Sequence, residues 1–426
     1  MTSDITASTP TGNGRRIPLL GTDLIFGGID NVFVYPSLDI NQLKQALCQT
    51  LSLWPMLTGR LLIDGDDYTI EMSDQSIPFV STENDQLECW PTLPVIVNDA
   101  AVIQPFIDSV VCKPDEPLLL FCHMIGDAAA NIHFLSDWSR LYQHLEPESI
   151  RPIFERERNM WKKENDEFHL SPSMKLIRNG DKRESILARL VQEYSETESI
   201  NIPFSSAQLA KLQSLVNENN SKTMLTSQDA LNAYIIRTLN KHILNNVDDY
   251  IRRAYILINF RGISDRLAPA GRVANSLMQM LTDDFSDPLS LKAIAQAIRQ
   301  TIQETRHESF LEQWLPTADR MMNEITKEGR VNFVWDKNEV VFNSNFKYDW
   351  TDRFDLGMNN QCRLHTLGTY KAYFRIFRLN PVRNENGDWT KDIGGAEVAF
   401  RIPKDWKNKF LDAWKKDVEE NFVNIE

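Results

Sequence analysis

The chain is 426 residues long, 42% hydrophobic and 25% charged, and its 46 Lys and Arg against 59 Asp and Glu leave a net charge of −13. That length is more than one ordinary core holds and points to two domains, while the negative balance argues against a nucleic-acid surface but leaves room for a local basic pocket. Cys48, Cys89, Cys112, Cys122 and Cys362 are scattered and form no CxxC pair for zinc, which suits reduced thiols in a soluble cytosolic protein, and no apolar run approaches the ~18 residues of a membrane span.

Residues 1–16 are polar, lack the apolar core of a signal peptide and are expected to be a disordered tail. Ile17 to Tyr35 reads as strand, broken at Phe26-Gly27-Gly28 and clearest at Val32 to Tyr35. Asp39 is a natural N-cap for an amphipathic helix to Leu53, apolar at Leu43, Ala46, Leu47 and Leu51, which Pro55 stops. Short strands are expected near Tyr68–Met72, Pro78–Val80 and Val95–Ile103, followed by an apolar run ending at His123 and a helix to about Leu145. Residues 146–203 are dense in charge, are interrupted by Pro172 and Gly180, and read as a crossover with a solvated face.

The second half opens on a capping box of Ser205 with Gln208, with Phe204 and Leu209 as its hydrophobic staple. Thr226 with Asp229 marks another helix start, and Ala254 to Phe260 is a buried strand ending in the charge of Arg261. A helix from Ser290 to Glu304 follows, then strands at Val331–Trp335, Glu339–Phe342, Lys371–Leu379 and Ala396–Ile402. The closing helix carries Trp406, Phe410, Trp414, Val418 and Phe422 at intervals of four, a core stripe. The division expected is 17–145 for the first domain and 204–426 for the second.

The chemistry-bearing stretch is Pro117-Leu118-Leu119-Leu120-Phe121-Cys122-His123-Met124-Ile125-Gly126-Asp127-Ala128. An apolar strand ends in a histidine, turns through glycine and reaches an aspartate that can cap a helix. A histidine so placed suits general-base work because its pKa lies near neutral. The HxxxD pattern is weak alone, and the chain contains it twice. His133 and Asp137 lie inside the helical stretch and read as a local i,i+4 pair. Arg261 is either solvent-facing or buried against a carboxylate, and Asp127 is the candidate partner. If they pair, Asp127 is a strut between the two halves and not the base.

In order and over nearly the whole chain, these stretches resemble the BAHD acyltransferases, the acyl-CoA-dependent family that includes fungal trichothecene acetyltransferases. Leu53-Trp54-Pro55-Met56-Leu57-Thr58-Gly59-Arg60-Leu61 is similar to the family's YPLAGRL, and His123 to Asp127 matches HxxxD. Thr226 to Ala233 resembles SSFEALSA. Asn259-Phe260-Arg261, with Pro269, Gly271 and Asn275, resembles the segment of the structural arginine. Asn343-Ser344-Asn345 and Asp355-Leu356-Gly357-Met358 fall where TSW and DFGWG belong. The departures are Ala128 after HxxxD, both aromatics of DFGWG, the tryptophan of TSW (Asn345 here) and the separated Gly271 and Asn275. They suggest a divergent, fungal member.

The resemblance implies an α/β protein of two similar chloramphenicol-acetyltransferase-like domains, each a mixed sheet flanked by helices, with a channel between them. It implies a monomer that uses acyl-CoA as co-substrate, with no permanently bound cofactor and no metal, and acylates a small alcohol or amine. His123 deprotonates the acceptor, Asp127 gives structural support, and Arg261, Asp355 and Gly357 are structural. Ser344 or Asn345 are candidate oxyanion donors. Lys222, the helix start at Thr226 and Ser227, and Asn275 are candidate substrate contacts. A condensation catalyst fed by a carrier protein, and a silent binding member, are the competing readings.

Overall fold

The computed structural model describes residues 2–10, 12–24, 31–65, 67–83, 122–156, 167–217, 224–332, 334–358, 360–366, 370–384 and 386–423. The apolar run before Cys122, the strand expected at Val95–Ile103, the break at Phe26–Gly28 and Lys222 lie outside them.

The second half is built on a six-stranded mixed sheet. Its strands lie in the order Leu277–Leu281, Arg253–Asn259, Glu339–Ser344, Tyr373–Arg378, Ala396–Pro403 and Thr197–Phe204. Glu339–Ser344 runs parallel to both its neighbours, and the remaining pairs are antiparallel. Successive side chains on a strand face opposite ways, which divides this sheet chemically. Ala254, Ile256, Ile258, Val340, Phe342, Phe374 and Ile376 enter one large core against the helices Ser206–Asn217, Ser227–His242, Leu291–Thr305 and Lys404–Glu419. Tyr255, Leu257, Val341 and Tyr373 face the other side, where Leu176 joins them. Burying the Ile, Val and Phe side chains of the first set stabilises the fold by roughly 1.5–3 kcal/mol each relative to exposure.

The helix starts follow from their caps. Ser205 and Gln208 exchange bonds as a capping box, with Phe204 and Leu209 buried beside them. Thr226 does the same with Asp229, and Ser290 caps Leu291–Thr305. Phe422 lies beyond the end of the last helix yet is fully buried, where it meets Tyr234 edge-on.

In the first half, Asp39 caps Ile40–Leu53, and that helix packs on Ala128–Tyr142. Arg16–Pro18, Asp67–Glu71 and Arg60–Asp64 form a three-stranded antiparallel sheet. The core here recruits Trp350, Phe354, Leu356 and Leu364 from far along the chain, and Val32–Val34 pairs with Arg363–His365. A second tie joins Gly21 to the helix Glu308–Lys327: the Gly21 N–H donates to Asp319, and a side chain at Gly21 would meet the Asp319 carbonyl at 2.0 Å.

Several expectations are corrected. Residues 2–5 are not disordered: Thr2–Ile5 pairs antiparallel with Ile77–Val80, because Ile5 buries in the first core and the Ser8 N–H bonds to the Cys48 carbonyl. The stretch read as a crossover contributes the helix Arg183–Glu196 and the edge strand Thr197–Phe204. The helix Glu308–Lys327, which holds Pro316 inside it, has no counterpart among the elements expected from sequence. The strand Leu277–Leu281 has no counterpart among the strands expected from sequence, and among the described residues of the region expected to be a strand to Trp335 only Arg330–Val331 forms one.

Candidate active site

The chain from Cys122 to Gly126 makes a tight turn, in which the Ile125 and Gly126 N–H groups both bond to the Cys122 carbonyl. Gly126 is required by space, since a Cβ there would come within 2.7 Å of the Ala130 Cβ. The turn delivers His123 to the mouth of the helix Ala128–Tyr142. Asp127 caps that helix, its Oδ1 accepting from the Ala129 and Ala130 N–H groups at 3.1 Å each.

The other carboxylate oxygen of Asp127 faces the second half of the chain. Arg261 donates to Oδ2 at 2.6 Å, and the Ser276 N–H does so at 2.9 Å. The rest of the Arg261 fork holds backbone: Nε and Nη2 bond to the Arg272 carbonyl at 3.1 and 2.8 Å, and Nη2 to that of Ala274 at 2.7 Å. The ion pair thus fixes the loop 272–276. The loop begins at Gly271, where a Cβ would lie 2.2 Å from the Arg151 carbonyl oxygen.

That loop carries Asn275, which grips His123 twice. Its Nδ2 donates to the His123 carbonyl at 2.6 Å and to the Thr22 carbonyl at 3.3 Å. With the amide nitrogen so committed, Oδ1 is the atom 3.3 Å from the His123 Nδ1. An acceptor there places the ring proton on Nδ1 and leaves the lone pair on Nε2. Asn275 is therefore a positioning residue for His123, in addition to lining the same cavity. Burial lowers the His123 pKa below the ordinary histidine value of 6.5; the Asn275 bond and the Asp127 charge oppose this, and the Arg375 charge reinforces it.

A second buried pair, which sequence reasoning missed, backs the turn. Arg156 and Asp23 meet at 2.7 Å with both side chains fully buried. Arg156 Nη2 bonds to the Ile125 carbonyl at 2.9 Å, and Asp23 Oδ1 accepts from the Asn275 N–H at 3.0 Å. Arg156 sits in a charge run that reads as solvated surface, so its pattern gave no signal.

His123 opens on a cavity of about 140 Å³. Its floor is the free face of the large sheet: Leu257, Asn259, Leu277, Gln279, Asn343, Tyr373 and Arg375. Ser344 and Asn345 line it as well. The Ser344 hydroxyl donates to Gln228 Oε1 at 2.8 Å, whereas the Asn345 amide lies a looser 3.5 Å from Asn343 Oδ1. Tyr348, unremarked in the sequence, also lines the cavity and accepts from Asn259 at 3.0 Å.

The other expected residues lie elsewhere. Asp355 and Gly357 form a turn on the outer side of the capped helix: Asp355 Oδ1 accepts from the Met358 N–H at 2.7 Å, and Gly357 has φ of +82°. The Asp355 carbonyl accepts from Ser139 at 2.7 Å, so the Asp-x-Gly turn buttresses the helix that Asp127 caps. At Thr226, both the N–H and the hydroxyl donate to Asp229 Oδ2 at 2.8 Å. Both Thr226 donors are thus engaged within its own capping box. Ser227 begins the helix, and neither residue lines the His123 cavity. His133 packs edge-on against Trp54, 5.1 Å between ring centroids, and Asp137 accepts from the Trp54 indole at 2.9 Å. The second HxxxD is core structure.

Asn275 thus holds His123 at the mouth of a cavity floored by the large sheet. The family model described as the transferase family matches residues 5–348, and the chain belongs to that family, the BAHD acyltransferases. No curated protein matches in sequence. Among solved structures, vinorine synthase is similar at 15% identity, covering 96% of this chain and 95% of that one with a TM-score of 0.61. F. graminearum TRI101, solved in complex with coenzyme A and T-2 mycotoxin, is similar at 13% identity over 95% and 98% of the two chains, with a TM-score of 0.62. The X-domain from teicoplanin biosynthesis is similar at 11% identity over 99% and 98%, with a TM-score of 0.51. These likenesses carry the two-domain chloramphenicol-acetyltransferase-like fold, and the protein is an acyltransferase. Among the described residues no helix is long and apolar enough to cross a membrane.

Proposed function

We propose that this protein transfers an acyl group, acetyl in the first instance, from coenzyme A to a hydroxyl of a small specialised metabolite, with His123 as general base. The observation that carries the reading is the double grip of Asn275, which supports a neutral His123 with its lone pair on Nε2. Nε2 takes the acceptor's hydroxyl proton while the oxygen attacks the thioester carbonyl. The tetrahedral oxyanion collapses, the C–S bond breaks, and the imidazolium returns the proton to the leaving CoA sulfur. Asn345 is the better oxyanion donor of the two candidates, because the Ser344 proton is engaged by Gln228. No acyl-enzyme is needed, so the buried thiols Cys122 and Cys362 have no assigned part.

Coenzyme A in the F. graminearum TRI101 complex supports the same donor here. The test is release of free CoA from acyl-CoA across a panel of alcohols and amines, with carrier-protein-bound acyl groups as the contrasting donors. His123→Ala is expected to lower turnover about a thousandfold without loss of helical signal. Full activity in that variant removes His123 from the base role, and turnover only with carrier-bound donors replaces CoA as the donor.

A further inference from the structure

A second cavity, of about 230 Å³, lies on the helix-covered face of the large sheet, across the strands from His123. It forms where the helix cover runs out: Ser227–His242 stops and Lys404–Glu419 begins at this end of the sheet. Leu239, Ile251, Val340, Phe374, Phe400 and Trp406 give it an apolar interior. Tyr373, next to Phe374, looks into the His123 cavity instead, so the sheet separates the two. The charged residues of its wall are committed, with one exception. Asp249 pairs with Lys337 at 3.0 Å, Glu339 with Lys175 and Arg253 at 2.6 and 2.9 Å, and Arg401 donates to the Thr197 hydroxyl at 2.9 Å. The exception is Lys371. Its ammonium stands over the Trp406 ring, 5.5 Å from the centroid, and no carboxylate among the described residues pairs with it. Lys371 is exposed, which puts this charge at the mouth of the cavity. Ala372 beside it has a left-handed φ of +60°, a conformation that costs any residue with a side chain. Backbone strain is thus held where the chain sets Lys371 over Trp406.

We propose that this cavity is a second small-molecule site, and that it takes a carboxylic acid with an apolar tail. The tail lies among the apolar side chains, and the carboxylate meets Lys371 at the mouth. Size and charge carry the argument. An apolar cavity of roughly 150 Å³ takes a benzene ring. The larger volume here therefore has room for a ring or a short alkyl chain together with its acid arm. An apolar interior turns away heavily hydrated ligands such as sugars and nucleotides, whose polar groups would lose their water without replacement. The ammonium at the mouth favours an anionic head over a neutral one, and a compact point charge is satisfied by a single carboxylate. Aryl and alkyl acids present the same head to Lys371. The inference stands apart from the acyl-transfer reading, because the sheet divides the two cavities and binding here needs no turnover.

The experiment is a titration of the full chain, labelled at its isoleucine methyl groups and followed by NMR. One arm adds phenylpropionate and the other hexanoate, each against its methyl ester. Ile251 and Ile402 line this cavity and Ile177 lines that of His123, so the methyl signals report which of the two fills. In at least one arm the acid is expected to shift Ile251 and Ile402 with a Kd at or below about 1 mM. It is expected to bind at least about fivefold tighter than its ester. Lys371→Gln, a change at an exposed position, is expected to bring acid and ester within about twofold of each other, and Lys371→Arg to keep the lead. Four results overturn the inference: Ile251 and Ile402 unmoved by either acid at about 10 mM, movement at Ile177 alone, acids no tighter than their esters in both arms, or a lead that survives Lys371→Gln intact.

Discussion

Asp127 and Arg261, 134 positions apart in the chain, meet at 2.6 Å with Asp127 fully buried and Arg261 nearly so. One carboxylate oxygen starts the helix behind His123, and the other anchors the arginine that shapes the loop bearing Asn275. The aspartate of the HxxxD pattern therefore serves His123 through structure.

Removing one member of such a pair strands the other. Arg261→Met is expected to lower stability by about 3–5 kcal/mol, since it leaves a buried carboxylate without its cation. Asp127→Ala loses the cap as well and is expected to cost at least as much. Urea unfolding of both single variants and the double variant measures the coupling. Additive losses, with no coupling of about 1 kcal/mol or more, contradict the strut.

Asn275 makes a different prediction. Asn275→Ala removes the acceptor that holds the His123 proton on Nδ1, so the ring samples both tautomers. The expected outcome is a fall in kcat of about 10- to 100-fold with little change in KM, because the base is mispositioned and the substrates are not. A rise in KM alone at unchanged kcat assigns Asn275 to substrate binding instead.

The pH dependence follows from burial. A base with a lowered pKa remains neutral further into acid, and activity that needs the neutral form is lost only as pH falls through that lowered value. The acid limb of kcat/KM is expected below pH 6.5, the ordinary histidine value. A limb above pH 6.5 that disappears in His123→Ala contradicts this environment.

At the second HxxxD, structure and chemistry separate. His133→Gln is expected to keep kcat/KM within about threefold of the parent enzyme. Asp137→Ala is expected to cost about 2–4 kcal/mol, because the Trp54 indole and the Glu148 N–H both lose their acceptor. A large loss of turnover in a stable His133→Gln would give that residue a part in the reaction.

Much of this was legible in the sequence where the rule is local. Asp39, Ser205, Thr226 and Ser290 announce their helices because a capping side chain acts within three residues. The apolar run from Ala254 to Phe260 marked a buried strand, and Arg261 at its end a charge in search of a partner. Arg156 and Asp23 stayed hidden because their pairing depends on a fold that brings a charged run and a short turn together. Asn275 was visible only as a candidate contact, since its grip on His123 spans 152 positions.

The two faces of the large sheet have a further implication for how this enzyme could change. Phe374 and Ile376 belong to the helix-covered core, while Tyr373 and Arg375 look into the cavity from the same strand. Over Tyr373–Ile376 the odd-numbered positions can drift toward a new substrate while the even-numbered ones go on holding the domain together; Phe377 beyond them is buried in the first core. Such a strand lets selection act on chemistry and on foldedness one residue apart.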